Sequence, residues 1–465
     1  MQSKYLLFFL FCIGLSITAT AQPAFTSMDV FDLQWASSPQ ISPDGETIVY
    51  VRRSMDIMKD RRVGNLWTIK TDGTGHRKLT NRDASESNPT WSPDGSRIAF
   101  TSSTDQGSEI FVYWLESGSL ARISQLEGGA SGLSWSPDGT KLAFSMFIKE
   151  SFEYLVKPPK KPQGAQWAKH PFMETRLKHE ADGSGYMPAG YSHYFLISAE
   201  GGAARQLTSG PFNHRGAPVW SKDGAHLYFS GNRNENWAYD FRNSEIYQLS
   251  VADGDIKALT DRNGPDRGIT LSPDGKTIAY VGYDDKVQTY QVSHLYLMDS
   301  NGGNKRMITT NLDRSISDLS WAADGQGLYF VYDNHGNTKI GYTTLGGKTT
   351  VIANDAGGIN PARPYGGGEY SLASNGWIAY PHTTPYHPAE VALTKMGEKA
   401  PKLLTSLSED LLSNRTLGKV EEIWYKSSVD KRDVQGWIVK PPFFDSERTY
   451  PLLVENHGGP ISNYG

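Results

Sequence analysis

The sequence predicts an all-β ring of seven blades, followed by the start of a second unit with a different pattern. Three observations predict it. A Ser-Pro-Asp-Gly turn leading into a strand recurs seven times, and a second apolar phrase recurs between the copies. Glycine (47 residues) and aromatic residues (12%) are plentiful, while long runs of helix-period hydrophobicity are missing.

The first three copies are Ser42-Pro43-Asp44-Gly45, Ser92-Pro93-Asp94-Gly95 and Ser136-Pro137-Asp138-Gly139. Then come Ser221-Lys222-Asp223-Gly224, Ser272-Pro273-Asp274-Gly275, Ala322-Ala323-Asp324-Gly325 and the degenerate Ala373-Ser374-Asn375-Gly376. Their glycines are 50, 44, 85, 51, 50 and 51 residues apart. Proline presets the first turn dihedral, Asp accepts local backbone N–H bonds and Gly tolerates positive φ, so two strands reverse tightly. The Asp residues are turn formers: one carboxylate per turn falls far short of the roughly six to eight oxygens that calcium takes. Each turn feeds a strand such as Ile48-Val49-Tyr50 or Ile98-Ala99-Phe100, and a further strand follows, as in Leu66-Trp67-Thr68-Ile69 or Ile246-Tyr247-Gln248-Leu249. It usually runs to a polar turn and a Leu-Thr or Ile-Ser ending.

Sheets of about four strands at a period of roughly 40–50 residues are the pattern of a β-propeller, which hides its strand edges by closing into a ring. A solenoid shares the period, but a ring explains why the copies stop at seven. The repeat resembles the TolB-type propeller repeat over roughly Asp29 to Thr405. The 85-residue interval is one blade plus an insertion at about 150–190, with a Lys157 to Pro162 proline- and lysine-rich stretch. This reads as a solvated excursion, with polyproline structure or a partner site as the alternatives. His170, His179 and His193 match no metal-ligand spacing and are structural or surface residues.

Lys+Arg 46 against Asp+Glu 50 gives a net charge of −4, which argues against nucleic acid or an anionic membrane as partner. Lys4, the apolar stretch Tyr5 to Leu15 and Ala19-Thr20-Ala21 have the order of a secretory signal, with cleavage expected after Ala21. The apolar stretch is too short for a membrane span. The one cysteine, Cys12, lies inside this leader, so the mature chain forms no disulfide, which suits a periplasmic or secreted protein. No cofactor or metal site is expected.

After Thr405 come Val420 to Tyr425, Gln435 to Pro442, and Pro451-Leu452-Leu453-Val454, which reads as a buried strand running into His457-Gly458-Gly459-Pro460. A strand entering His-Gly-Gly is how α/β-hydrolases build part of an oxyanion hole, since glycine admits a backbone N–H close to a substrate carbonyl. A glycine turn is the other account of the tetrapeptide.

A seven-bladed propeller leading into these strands resembles the prolyl oligopeptidase family of serine peptidases, most closely its acylaminoacyl-peptidase-like and dipeptidyl-peptidase-like members. The insertion, from Arg176 through Asp182 to Tyr186 and on to Glu200-Gly201-Gly202, is similar to that branch's third-to-fourth blade connection. The resemblance implies a signal peptide over 1–21, a propeller over 22–405, and the truncated start of an α/β-hydrolase domain over 406–465. It implies a Ser-Asp-His triad acting on short peptides, with the propeller gating access. Gly459 would be the strand-side oxyanion donor, Gly458 would give backbone room and His457 would shape the loop; Pro460 has no N–H to give. Glu235 or Asp240 would read a peptide's free amino terminus, an exposed hairpin tip being the alternative.

No serine in the sequence sits in Gly-x-Ser-x-Gly. The triad is therefore expected in a C-terminal hydrolase segment beyond Gly465, and the chain alone is expected to be inactive. His382 and His387 read as loop positions. A non-catalytic TolB-type propeller that binds a protein partner, and a carboxylesterase with the same oxyanion loop, remain alternatives at this stage.

Overall fold

The computed structural model describes residues 22–150, 156, 159–168, 173–361, 365–459, 462 and 464. The leader with Cys12, and Lys157, Pro158, His170, Pro460 and Gly465, lie outside them. Seven four-stranded antiparallel sheets follow one another along the chain, at 35–78, 86–122, 130–206, 219–258, 266–307, 316–353 and 371–403. The first strands of successive blades pack on one another and form the inner ring. These are the seven blades that the repeat predicts.

Five of the seven turns are shut by their serine as much as by their aspartate. Ser92 Oγ donates to Asp94 Oδ1 (2.5 Å) and accepts from the Arg97 N–H (2.9 Å), while Asp94 Oδ1 accepts from the Ser96 N–H (3.1 Å). The same bonds recur around Ser42, Ser136, Ser221 and Ser272. All seven turn glycines have φ between 67° and 83°, where a Cβ is disfavoured. Further along the second strand, one aromatic per blade is fully or almost fully buried: Tyr50, Phe100, Phe144, Phe229, Tyr280, Phe330 and Tyr380.

The Leu-Thr or Ile-Ser ending is a clip. In blades 2, 4 and 7, Ser124, Thr260 and Thr405 accept from the N–H of Ile110, Ile246 and Val391 (2.8, 2.8 and 2.9 Å). Each hydroxyl then donates to a buried carboxylate, of Glu109, Glu245 and Glu390 in turn. A second device joins blades. The indoles of Trp91, Trp135, Trp220 and Trp321, at the ends of first strands, reach back to carbonyls of the preceding blade; Trp91 Nε1–H donates to Gln40 O at 2.9 Å.

The ring closes without strand exchange, because every blade is built from contiguous sequence. Blades 1 and 7 share a core that includes Ile41, Tyr50, Ala379 and Val391. The Ile41 N–H donates to Ser371 Oγ (3.0 Å), and Ser408 Oγ bonds both the N–H and the carbonyl of Gln34 (2.9 and 2.8 Å).

Three sequence expectations are corrected. The insertion lies inside blade 3 and not between blades 3 and 4: strand Lys141–Lys149 pairs with Gly190–Ser198 in unbroken register from Lys141↔Ser198 to Lys149↔Gly190, so the excursion is an overgrown hairpin. Glu200-Gly201-Gly202 is the next turn of that same blade. Pro451 to Val454 form no strand, and Leu452, Leu453 and Val454 are 80%, 95% and 73% exposed, because no strand pairs with them among the described residues. His382 and His387 belong to strands Ile378–Thr384 and His387–Thr394.

Residues 22–29 and 409–450 form a separate compact unit. Within it, the Phe25 N–H donates to Thr416 O (3.2 Å) and the Thr416 N–H to Pro23 O (2.8 Å). Arg415 holds Asp29 through two N–H bonds (3.0 and 2.8 Å), which keep that carboxyl well below the usual range. Strands Val420–Lys426 and Asp433–Val439 pair as an isolated hairpin that leaves Trp424, Tyr425, Trp437, Ile438 and Val439 exposed.

Candidate functional site

Three groups of residues bear on function: the 457–459 loop, the blade 4 hairpin, and the inner ring of the propeller. His457, Gly458 and Gly459 are exposed. His457 Nδ1 lies 3.0 Å from Gly458 O, and Ser462 Oγ donates to the same carbonyl (2.9 Å). The imidazole packs on Tyr464, whose phenol donates to Glu455 Oε1 (3.1 Å) and whose ring meets Tyr365 edge-on. No atom lies within 4 Å of where a Gly458 Cβ would project, so the backbone there is open to close approach.

Glu235 and Asp240 share the hairpin between strands His226–Gly231 and Glu245–Ser250 of blade 4. Asp240 is committed to the loop itself: its Oδ2 accepts from Asn243 Nδ2 (3.1 Å) and its carbonyl from Asn232 Nδ2 (2.7 Å). Glu235 is exposed. Antiparallel parity puts the Ser-Pro-Asp-Gly turns on one rim and every hairpin between second and third strands on the other. Glu235 and the 150–189 excursion therefore share a rim, and Tyr191 at the base of the excursion meets Trp237 edge-on.

Beneath this hairpin lies a cluster that sequence reading missed. His214 is fully buried, and Arg233 donates to its Nε2 at 2.6 Å while stacking over Phe212. Burial, then the Arg233 charge, pushes the His214 imidazole down to about 3, so it stays neutral and accepts the guanidinium N–H. Arg233 is thereby fixed two residues before Glu235. Nothing in the sequence flags His214, since its partner comes from the next blade.

The inner ring was missed as well. In five blades the residue three before the end of the first strand is left-handed: Ser38, Asn88, Gly132, Gly268 and Asp318, with φ between 51° and 64°. Four of these positions lie at register shifts in blades 1, 2, 5 and 6, and the fifth in that of blade 3. Each bulge lies on a first strand, in the inner ring. Asp318 keeps open surface there, yet loss of hydration and then the charge of Glu369 push its carboxyl up to about 6. Glu369, at the matching place in blade 7, is raised by burial while it accepts from the Ser38 N–H and faces Arg53. Blades 6 and 7 thus make one side of the ring acidic, whereas blades 3 and 5 carry Gly132 and Gly268 at the same position. The signal was present: Asp318 precedes Trp321 as Asn88 precedes Trp91.

The structure does not bring the 457–459 loop and Glu235 together. Among the described residues no group of three or more His, Cys, Asp or Glu is placed to hold a metal ion.

Residues 29–166 match the TolB beta propeller domain, and residues 182–288 match the dipeptidyl peptidase IV N-terminal region. The chain is 28% identical to an uncharacterized peptidase, YuxL, of Bacillus subtilis over 95% of its own length and 67% of the relative's. It is 25% identical to dipeptidyl-peptidase 5 of Porphyromonas gingivalis over 92% of its length and 62% of that protein's. The chain therefore spans about two thirds of the curated relatives it matches. In fold it is similar to Pyrococcus horikoshii acylaminoacyl peptidase, with a TM-score of 0.69 at 17% identity over 90% of this chain and 60% of that one. Seven contiguous blades, both propeller matches and relatives that follow the chain almost from end to end support a prolyl oligopeptidase-family peptidase with a propeller.

Proposed function

We propose that this chain is the propeller-bearing part of an exported serine peptidase that hydrolyses short peptides by acyl transfer. The observation that carries the reading is the alignment of 95% and 92% of the chain with two proteins named as peptidases. The leader, Lys4 to Ala21, supports export to the periplasm or beyond. The exposed hairpin Val420–Lys426 with Asp433–Val439, and the apolar Leu452 to Val454, suit the opening strands of an α/β-hydrolase sheet, whose parallel strands are buried on both faces once their neighbours are present.

Acyl transfer needs a nucleophile, a base, an orienting carboxylate and donors for the oxyanion. This sequence offers one donor, the N–H of Gly459, with Gly458 giving backbone room and His457 shaping the loop. Losing such a donor typically costs about 3 kcal/mol of transition-state stabilisation. Glu235 is the propeller carboxylate available to a free amino terminus, Asp240 being held by Asn243. The bulged inner ring would limit which peptides reach the reacting centre. The chain alone is inactive in this reading, because no serine lies in Gly-x-Ser-x-Gly.

A fluorophosphonate probe tests it on two products: the 465-residue chain, and the same chain extended by the coding sequence that follows in its genome. Label is expected on the extended product alone. Stoichiometric label on the 465-residue chain overturns its inactivity, and an unlabelled, inactive extended product overturns the serine-peptidase reading.

A further inference from the structure

The outermost strand of a propeller blade is an open edge, with backbone N–H and C=O groups pointing at solvent, and such edges recruit other strands unless they are blunted. Six of the seven outermost strands are blunted in the same two ways. They are Arg77–Lys78, Leu120–Arg122, Arg205–Gln206, Ile256–Ala258, Arg306–Met307 and Lys402–Leu403: two or three residues each, every one carrying an Arg or Lys. The seventh departs from both rules. In blade 6, Thr349–Ala353 is five residues long, reads Thr-Thr-Val-Ile-Ala and carries no charge. Thr350 and Val351 are exposed, and the strand is last in its sheet, with Asn337–Thr344 on its inner side. Its one remaining safeguard is a bulge: Val351 pairs with Gly341 and Ala353 with Ile340, which leaves Ile352 as the extra residue. Thr349 to Val351 stay in regular register.

We propose that this edge is where two copies of the chain join, by antiparallel pairing of Thr349–Val351 across a twofold axis at Thr350. Charge selects a second copy as the occupant. In a twofold antiparallel pair the central residue faces itself and its neighbours face each other, so a strand joins its own kind only if it sets no like charges opposite. On the six other edges, two or three residues long, self-pairing sets Arg or Lys against or close beside its own image. On this one, Thr350 faces Thr350, Val351 faces Thr349, and Lys348 of each copy faces Ile352 of the other, so the two ammonium groups lie at opposite ends. The three paired residues are β-branched, the class that packs best across strands. The edge is the outermost strand of its blade, on the outer circumference, so two rings can meet there side by side.

A strand pair of this length buries less than the roughly 1,200 Å² of a stable interface, so the association is weak and reversible, with a Kd in the micromolar range or above. Sedimentation equilibrium of the 465-residue chain over a concentration series should show a monomer–dimer equilibrium. Thr350→Lys, which sets two ammonium groups face to face, should weaken it by about tenfold or more, with the far-UV circular dichroism unchanged. Cross-linking gives a second readout. Facing Cα atoms of paired strands lie about 4.5–5.5 Å apart, within disulfide range, and Cys12 is the sole cysteine. In a Cys12→Ser background, Thr350→Cys should oxidise to a covalent dimer, and Met307→Cys, on the blunted edge of blade 5, should not. A chain that sediments as a monomer throughout, a Thr350→Lys chain that dimerises as well as the parent, or equal cross-linking at both positions overturns the proposal.

Discussion

The second strand of blade 2, Arg97–Thr104, and the segment Pro451-Leu452-Leu453-Val454 are both short apolar runs, yet Phe100 is fully buried and Leu453 is 95% exposed. The difference is partners. Phe100 stacks on Phe111 of the next strand and shares a core with Val49 and Leu66 of blade 1, because the repeat supplies a neighbour on each side. Leu453 has no strand beside it among the described residues. An apolar β sequence states a demand for burial; the rest of the chain decides whether that demand is met.

The most forceful way to break the comparison is truncation at both places. Phe100→Ala removes a fully buried ring between two blades and should cost about 4 kcal/mol, read as a lower Tm by calorimetry. Leu453→Ala should stay within about 0.5 kcal/mol. A loss at Leu453 comparable to that at Phe100 would mean that the segment is buried in this chain after all.

Carboxylates allow the second comparison. Glu245 is buried at the start of a blade 4 strand, where desolvation pushes its carboxyl up to about 7 from an ordinary 4.5, against a hydrogen bond from Thr260. The folded state therefore binds more protons than the unfolded one between those values, and stability falls as pH rises from about 4.5 to about 7. Two and a half pKa units correspond to about 3 kcal/mol. Glu245→Gln mimics the protonated acid, so it should flatten this descent and leave the variant more stable than the parent at pH 8. Glu422→Gln, on the open hairpin, is the control. A parent whose urea midpoint does not fall between pH 5 and pH 8 would contradict the assignment.

The same contrast governs what could be read in advance. The blades were legible because each is announced locally, by a turn whose proline, carboxylate and glycine act within four residues and by a strand that follows at once. The insertion's extent, about 150–190, was legible as an excess over the period, but its place inside blade 3 was not, since only the pairing of Lys149 with Gly190 fixes it. His214 with Arg233, and Asp318 with Glu369, were illegible for the same reason: each pair is made by residues of different blades. Gly458 and Gly459 could be named from their motif alone, which acts within four residues. The strand expected before them does not form because no strand lies on either side of it among the described residues.

The smallest expected effect concerns the ties between blades. Trp91 is nearly buried, and its indole N–H donates to Gln40 O of the preceding blade at 2.9 Å, whereas Trp437 lies on the exposed hairpin and is 40% exposed. Phenylalanine keeps most of the apolar surface of tryptophan and removes the donor. Trp91→Phe should therefore cost about 1 kcal/mol for the bond and the carbonyl left behind, plus a smaller amount for the lost ring area. Trp437→Phe should cost nothing resolvable. Both are read from urea midpoints with the slope held constant, since a changed slope would signal a changed unfolding unit and not a lost bond. If the two substitutions cost the same, the indole N–H is not what ties one blade to the next, and the ring rests on apolar packing between blades alone.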